Sequence, residues 1–190
     1  MKTTNAASLS DEDLVKEIVE TNNTHLFAVL YDRYSSVVYN KCYGFSKSKE
    51  EAQDLTHDVF IRLFVKLRSF KGKSKFSTWL YSFTYNFCVN YVQRNTNKKN
   101  EKVTVVTDVI KDEDINENEI DDATLFELKS DKLAKAMALI EPQDKMILLM
   151  KYQDDMSIQE IQESLDLGSS AVKMRIKRAK ERVVKKYEEL

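Results

Sequence analysis

Residues 156–186 restrict the fold more than any other stretch of the chain. Ser157 is followed three residues later by Glu160, and this capping-box spacing predicts that a helix begins at Ser157. Gly168 can adopt a left-handed turn conformation that interrupts the helix, and either of the serines at 169 and 170 can cap a second helix. The pattern therefore predicts two helices joined by a tight turn, which is a helix-turn-helix.

The second of these helices has one apolar face and one strongly basic face. Its apolar residues recur at helical spacing: Val172, Ile176, Ala179 and Val183. Against a single acid, Glu181, it carries the basic residues Lys173, Arg175, Lys177, Arg178, Lys180, Arg182, Lys185 and Lys186. A cationic helix of this kind suits the major groove of DNA. A solvated surface helix and a helix that binds an acidic protein remain open as alternatives.

The shortage of turn-forming residues indicates the fold class. The chain has three Gly and one Pro among 190 residues, which favours long helices and an all-α fold, because sheets need more turns. The net charge is only −1, but the charges are unevenly distributed. Between residues 101 and 131 there are eleven acids and three lysines, so the remainder of the chain is correspondingly basic.

This shift in composition divides the chain into parts. We expect a disordered tail at residues 1–9, a helical domain at 10–96, a flexible acidic linker at 97–123 and a second helical domain at 124–190. A brief strand at 103–106 is the only β-structure that the pattern suggests. The basic residues of the chain therefore belong to two predicted helical domains, one on each side of the acidic segment.

Residues that would support catalysis or metal binding are few and scattered. His25 and His57 have no nucleophile motif beside them, and Cys42 and Cys88 do not have the spacing of metal ligands. The two cysteines are predicted to be buried, reduced thiols, and the chain is predicted to be no enzyme and to use no cofactor or metal. No apolar run is long enough for a signal peptide or a membrane span, so we expect a cytoplasmic protein without membrane insertion.

The first domain contains predicted helices that begin at Ser10, His25 and Ser48. In the third helix one apolar stripe is widened by three further residues: Ala52, Leu55, Val59, Leu63 and Leu67, with Phe60, Ile61 and Phe64. Such a wide face is typical of a surface that binds a partner. It equally fits a helix packed on two sides inside its own domain, and both interpretations remain open.

Residues 69–75 form a predicted basic loop with aromatic rings, Phe70 and Phe76, at its two ends. Cations that follow phosphates and aromatic faces that accept unstacked bases are typical of single-stranded nucleic-acid binding. A helix is predicted over residues 78–94, where Asn86 and Asn90 carry groups able to read base edges. An ordinary surface loop with its two aromatic side chains turned inward remains the alternative.

In their order along the chain, these motifs resemble those of bacterial RNA polymerase sigma factors of the extracytoplasmic-function (ECF) group. The resemblance extends from about residue 26 to residue 189. Its carriers are LYDRY (30–34), EAQDLTHDVFIRLF (51–64), FKGKSKFSTWLYSFTYN (70–86), LIEPQDKMILLMKY (139–152) and SIQEIQESLDLGSSAVKMRIKRAKERV (157–183). It implies a sigma region 2-like bundle and a sigma region 4-like helix-turn-helix, and a factor that directs core polymerase to promoters and helps to melt them.

The resemblance also implies roles for individual residues. The clamp helices of the largest polymerase subunit would dock at Asp54, Leu55, Asp58, Val59, Phe60, Arg62 and Leu63. The minus-ten promoter element would be recognised by Phe70, Lys71, Lys73, Lys75, Phe76, Trp79, Asn86 and Asn90. The minus-thirty-five element would be read by Lys173, Met174, Lys177 and Arg178, with Ser170 and Arg175 nearer the phosphates.

The expected partners are core RNA polymerase, including the flap of its second-largest subunit, and promoter DNA, with an anti-sigma factor as a further candidate. We expect the free protein to be a monomer. Two positions depart from the family pattern: His57 stands in place of a glutamine, and Gln162 in place of a small alanine. The competing interpretation is a conventional helix-turn-helix regulator that does not bind polymerase, which predicts a dimer on a palindromic site.

Overall fold

A computed structural model describes residues 8–100, 120–122, 125 and 128–190, without the side chains of 97–100. In this part of the chain all regular structure is helical, which confirms the predicted all-α fold of two helical domains. The chain divides into two compact units, residues 1–88 and 89–190. The predicted strand at 103–106, most of the predicted linker and most of the predicted N-terminal tail lie outside the described residues.

The first unit is built from α1 (Asp11–Thr21), α2 (Thr24–Tyr43), α3 (Lys49–Lys66) and the start of α4 (Phe76–Asn100). A short 3-10 helix, Leu67–Ser69, follows α3. The predicted caps of α1 and α3 are confirmed. Ser10 Oγ accepts a hydrogen bond from the Asp13 backbone N–H at 3.1 Å, and Ser48 Oγ accepts one from the Glu51 N–H at 3.1 Å.

The core of the first unit includes a buried lysine and a pair of buried thiols. Lys41 is buried and donates a hydrogen bond from Nζ to Tyr85 Oη at 3.1 Å, while its Nζ lies 4.0 Å from the centre of the Tyr81 ring. Cys42 and Cys88 are buried free thiols, as predicted, with their sulfur atoms 3.8 Å apart. The aromatic neighbours of Lys41 stabilise its ammonium group by cation–π contact where water is excluded.

Helix α4 is longer than the predicted helix at 78–94. It begins at Phe76 because the Glu12 carboxylate of α1 accepts a hydrogen bond from the Phe76 backbone N–H at 2.9 Å. It ends at Asn100, so residues 97–100 of the predicted linker have a helical backbone. The sequence pattern could not predict this start, because the residue that accepts the Phe76 N–H hydrogen bond lies 64 positions earlier in the chain.

The second unit contains α5 (Ser130–Leu139), α6 (Pro142–Leu148), α7 (Ile158–Leu165) and α8 (Ser169–Glu188). A π-helical turn, Leu149–Gln153, continues α6. Helix α8 packs against the other three helices. It does so through the predicted apolar face, whose residues Val172, Ile176, Ala179 and Val183 are all buried.

The helix-turn-helix is confirmed, but its turn differs from the prediction. Ser157 and Glu160 form the expected capping box at the start of α7. The left-handed residue is Asp166, with φ of 53°, and not Gly168, whose φ is −74°. Gly168 is itself the N-cap of α8, and no side chain caps that helix, so the predicted serine cap is wrong. Aspartate adopts the left-handed conformation more readily than most residues, which makes the glycine dispensable for the turn.

Lys180 does not belong to the exposed basic face of α8. Only 7% of it is exposed, and its Nζ lies 2.9 Å from Asp122 Oδ1. Tyr152 Oη donates a second hydrogen bond to the same oxygen at 2.6 Å. The hydrogen bond from Tyr152 and, to a smaller extent, the one from Lys180 lower the pKa of the Asp122 carboxyl below its usual value. Asp122, which the sequence placed in the linker, is therefore bonded to α8 within the second unit.

We expect Ser157→Ala to destabilise the second unit by about 1 kcal/mol, because it removes the side chain that caps α7. Urea unfolding followed by circular dichroism measures the change. Ser169→Ala is the matched control, since Ser169 lies in the first turn of α8, which has no side-chain cap, and we expect a much smaller loss there. Equal losses in the two variants would contradict the assignment of the caps.

Candidate nucleic-acid interface

The loop at residues 70–75 presents aromatic rings beside exposed lysines. The Phe70 ring centre lies 5.5 Å from that of Trp79, and the Trp79 ring stacks on Phe83 at 5.6 Å. Phe70 and Trp79 are both partly exposed. All three lysines of the loop are exposed: Lys71, Lys73 and Lys75. This arrangement offers an aromatic surface to a base and cations to the adjoining phosphates.

Phe76 was predicted to contact a base, but the structure buries it completely, with 0% of its surface exposed. Its ring packs edge-on against Phe70 at 5.5 Å and against Tyr34 at 5.6 Å, and it lies 5.9 Å from Trp79. A base cannot reach a ring enclosed in this way. Phe76 instead supports the two rings that remain accessible, Phe70 and Trp79.

Two polar residues of α4 belong to the predicted minus-ten set. Asn86 and Asn90 are both exposed and lie one helical turn apart. Their amide groups can both donate and accept hydrogen bonds, which suits them to base edges. Asn86 belongs to the first unit together with the loop and its rings, whereas Asn90 lies just past the division of α4 between the two units.

The residues predicted to bind polymerase on α3 separate into two groups. The apolar members Leu55, Val59, Phe60 and Leu63 are buried in the core of their own unit. Phe60, for example, packs against the Tyr31 ring of α2, with the centres 4.5 Å apart. Along that face the helix packs inside its own unit, which is the second of the two interpretations that the wide apolar face left open. The three charged members are exposed: Asp54, Asp58 and Arg62.

Two exposed apolar residues on α3 are absent from the predicted polymerase-binding set. Ile61 is 67% exposed and Val65 is 72% exposed. At about 100° per residue they fall on the same face as Asp54 and Asp58, with Arg62 at its edge. We call these five residues the α3 outer face. A helical projection of the sequence could have found it, since Ile61 and Val65 lie well away from the Leu55–Val59–Leu63 stripe.

The predicted recognition residues of α8 lie at the surface of the second unit. Four are exposed: Ser170, Lys173, Met174 and Arg175. Lys177 and Arg178 are partly exposed. Met174, at 42% exposure, is an apolar side chain in the middle of a cationic surface, which is the kind of group that contacts the methyl of thymine. The helix therefore has both charge for phosphates and groups for base edges.

The two departures from the family pattern are accommodated at the surface. His57 is exposed on α3. Gln162 is partly exposed, while its neighbour Ile161 fills the core of the helix-turn-helix with 0% exposure. Among the residues that the structure describes, no three His, Cys, Asp or Glu side chains are grouped to hold a metal ion. No described helix has the length and apolar character needed to cross a membrane.

Comparison with known proteins finds two family matches along the chain. The model for Sigma-70 region 2 matches residues 30–98, and the model for Sigma-70, region 4 matches residues 130–183. The chain is 27% identical over 180 residues to the ECF RNA polymerase sigma factor SigW of Bacillus subtilis, covering 90% of this chain and 94% of that protein. It is 26% identical to the ECF RNA polymerase sigma-E factor of Haemophilus influenzae, covering 97% of this chain and 99% of that protein.

Solved structures share the fold. CnrH, in complex with the cytosolic domain of CnrY, matches with a TM-score of 0.59 and 17% identity over 92% of this chain and 94% of that chain. The sigma factor RpoE from Bartonella quintana, in complex with the anti-sigma factor NepR, matches with a TM-score of 0.58 and 16% identity over 85% of this chain and 96% of that chain. At this identity the two structures support the fold alone.

Leu63→Ala and Ile61→Ala test the division of α3 into a buried and an exposed face. Leu63 is fully buried, so we expect its truncation to cost about 2–5 kcal/mol of unfolding free energy. Ile61 is largely exposed, and its truncation should change stability by no more than about 0.5 kcal/mol. Urea unfolding of both variants measures the difference. A loss at Ile61 equal to that at Leu63 would contradict the exposed position of Ile61.

Proposed function

The chain belongs to the extracytoplasmic-function group of RNA polymerase sigma factors, and on this premise we propose how its surfaces direct core polymerase to promoters and help to melt them. The observation that carries the proposal is the order of its two units. A region 2-like unit with an aromatic, basic loop precedes a region 4-like unit with a cationic recognition helix. Each unit has a surface of the chemistry that one promoter element requires.

We assign melting of the minus-ten element to the first unit. Phe70 and Trp79 would stack on an unpaired base of the non-template strand, while the lysines at 71, 73 and 75 neutralise the adjoining phosphates. Asn86 and Asn90 would contact base edges next to the stacked base. Capture of an unstacked base favours the open strand over the duplex, because the aromatic faces are available only to a base that has left the helix.

We assign the minus-thirty-five element to α8 of the second unit. Lys173, Met174, Lys177 and Arg178 would enter the major groove and contact base edges. Ser170 and Arg175 would lie nearer the phosphates. The uneven charge supports this role, since the basic helix lies in a chain whose net charge is only −1.

We assign the polymerase contact of the first unit to the α3 outer face, with the clamp helices of the largest subunit as its partner. Ile61 and Val65 would supply the buried apolar centre and the charged residues its rim. The second unit would contact the flap of the second-largest subunit. We further propose domains at residues 10–96 and 124–190, with 97–123 as the linker.

The free protein, on this proposal, is a cytoplasmic monomer that does no catalysis of its own. An anti-sigma factor is a further candidate partner, since the related fold of RpoE occurs in complex with one. The conventional helix-turn-helix regulator is not favoured, because the first unit matches sigma region 2 and carries a loop that such a regulator would not use. That alternative also predicts a dimer, which sedimentation of the free protein would reveal.

We expect the double variant Ile61→Glu and Val65→Glu to weaken binding to core polymerase by at least about tenfold, or about 1.4 kcal/mol, because two charges would replace the apolar centre of the interface. Fluorescence anisotropy of the labelled protein titrated with core polymerase measures the affinity. Tyr43→Glu is the matched control, since Tyr43 is an exposed ring, at 50%, on α2. Unchanged affinity in the double variant would exclude the α3 outer face as the contact.

We expect Arg178→Ala to weaken binding of the holoenzyme to its promoter by about 1–3 kcal/mol, provided that Arg178 contacts a base in bidentate fashion. Affinity for random duplex DNA should fall much less. A residue that contacts only phosphate would instead reduce the salt dependence without altering sequence preference, as we expect for Arg175→Ala. Equal losses on promoter and random DNA in the Arg178 variant would rule out base recognition by this residue.

A further inference from the structure

Helix α1 holds the chain on both sides of the aromatic, basic loop. Before the loop, Arg68 Nη2 donates a hydrogen bond to Asn22 Oδ1 at 3.1 Å. After the loop, the Phe76 N–H donates to the Glu12 carboxylate at 2.9 Å. Glu12 and Asn22 lie near opposite ends of α1, so the segment between Arg68 and Phe76 is attached to a single helix at its two ends.

Helix α1 is itself firmly packed. Leu14, Val15 and Ile18 are buried in the core of the first unit. Asp11 accepts hydrogen bonds from Arg33 Nη1 at 2.6 Å and from the Tyr34 hydroxyl of α2. The burial of Tyr34 and its hydrogen bond to Asp11 raise the pKa of its hydroxyl. The two anchors of the loop thus belong to an element that is fixed on the neighbouring helix.

The hydrogen bond from the Phe76 N–H to Glu12 affects the start of α4 and also the rings packed there. The first N–H groups of a helix lack partners within the helix, and a carboxylate there also interacts favourably with the helix dipole. The residue that Glu12 holds, Phe76, is the buried ring on which Phe70 and Trp79 pack. The position of the Phe76 backbone therefore determines where the two accessible rings stand.

We propose that Glu12, supported by Asn22, is a positioning residue for promoter melting. It holds the first turn of α4 so that Phe70 and Trp79 are arranged for an unstacked base before DNA arrives. This inference rests on the proposed function of the loop. Preorganisation of this kind lowers the cost of base capture, because the loop does not have to be ordered when the base enters.

The chain contains a built-in reporter for the first part of the test. Trp79 is its only tryptophan, and its ring lies next to Phe70 and Phe76. In the free protein we expect Glu12→Ala to change the emission and to increase the acrylamide quenching of Trp79. Glu20→Ala is the matched control, since it removes the same charge from an exposed position of α1. Glu12→Gln retains an acceptor oxygen and should restore most of the native signal.

The second part of the test uses holoenzyme and a promoter selected from random DNA by the wild-type holoenzyme. Strand opening is followed by 2-aminopurine fluorescence in the minus-ten element. We expect Glu12→Ala to slow opening on the order of tenfold, since a hydrogen bond to a charged group is stronger than one between neutral groups. Affinity for core polymerase and for duplex DNA with only the minus-thirty-five element should be unchanged.

A second variant guards against misfolding of the first. Asn22 ends α1 in a left-handed conformation with φ of 51°, so Asn22→Gly removes the acceptor of the Arg68 hydrogen bond without backbone strain. We expect it to slow opening by a smaller factor than Glu12→Ala. Opening at the wild-type rate in both variants would overturn the proposal, as would an equal loss of polymerase affinity and opening. Absence of promoter opening by the wild-type holoenzyme would instead defeat the proposed function.

Discussion

The packing of the Phe76 ring is the contact on which the promoter-facing surface of the first unit depends. The ring is fully enclosed and touches Tyr34 of α2 as well as Phe70 and Trp79, so it joins the core to the loop. Its backbone N–H is held by Glu12 of α1. Helices α1 and α2 therefore both contact the residue at which α4 begins. A site for an unstacked base needs rings that are exposed yet rigid, and rings supported from beneath by a buried ring meet both conditions.

Local chemistry accounts for most of the fold that the sequence allowed us to predict. Ser10, Ser48 and Ser157 cap helices as expected, because a cap involves residues only a few positions apart. The helical spacing of Val172, Ile176 and their neighbours likewise reports one buried face. The errors concern choices between similar residues or partners distant in sequence. Asp166 takes the left-handed turn in place of Gly168, and the start of α4 depends on Glu12.

The candidate sites show the same division between local and tertiary information. Residue types identified the basic, aromatic loop and the cationic helix, but burial decided which members are available. On α3 the apolar stripe turned out to be core, and the accessible apolar residues Ile61 and Val65 lie on the opposite side among charges. Lys180 has the charge expected of a DNA contact, but it is buried and bonded to Asp122, so it does not lie on the exposed basic face of α8. Composition cannot distinguish a lysine that meets solvent from one that meets a carboxylate.

The central claim is that two chemically distinct surfaces of one chain act together at a promoter. Transcription in vitro with core polymerase, the purified chain and a library of genomic promoter fragments tests it most directly. The predicted result is a set of transcripts that appear only when the chain is added. They start at defined sites and share two sequence elements upstream of those starts. Transcription that remains non-specific, with the same products in the presence and absence of the chain under all salt conditions, would contradict the account.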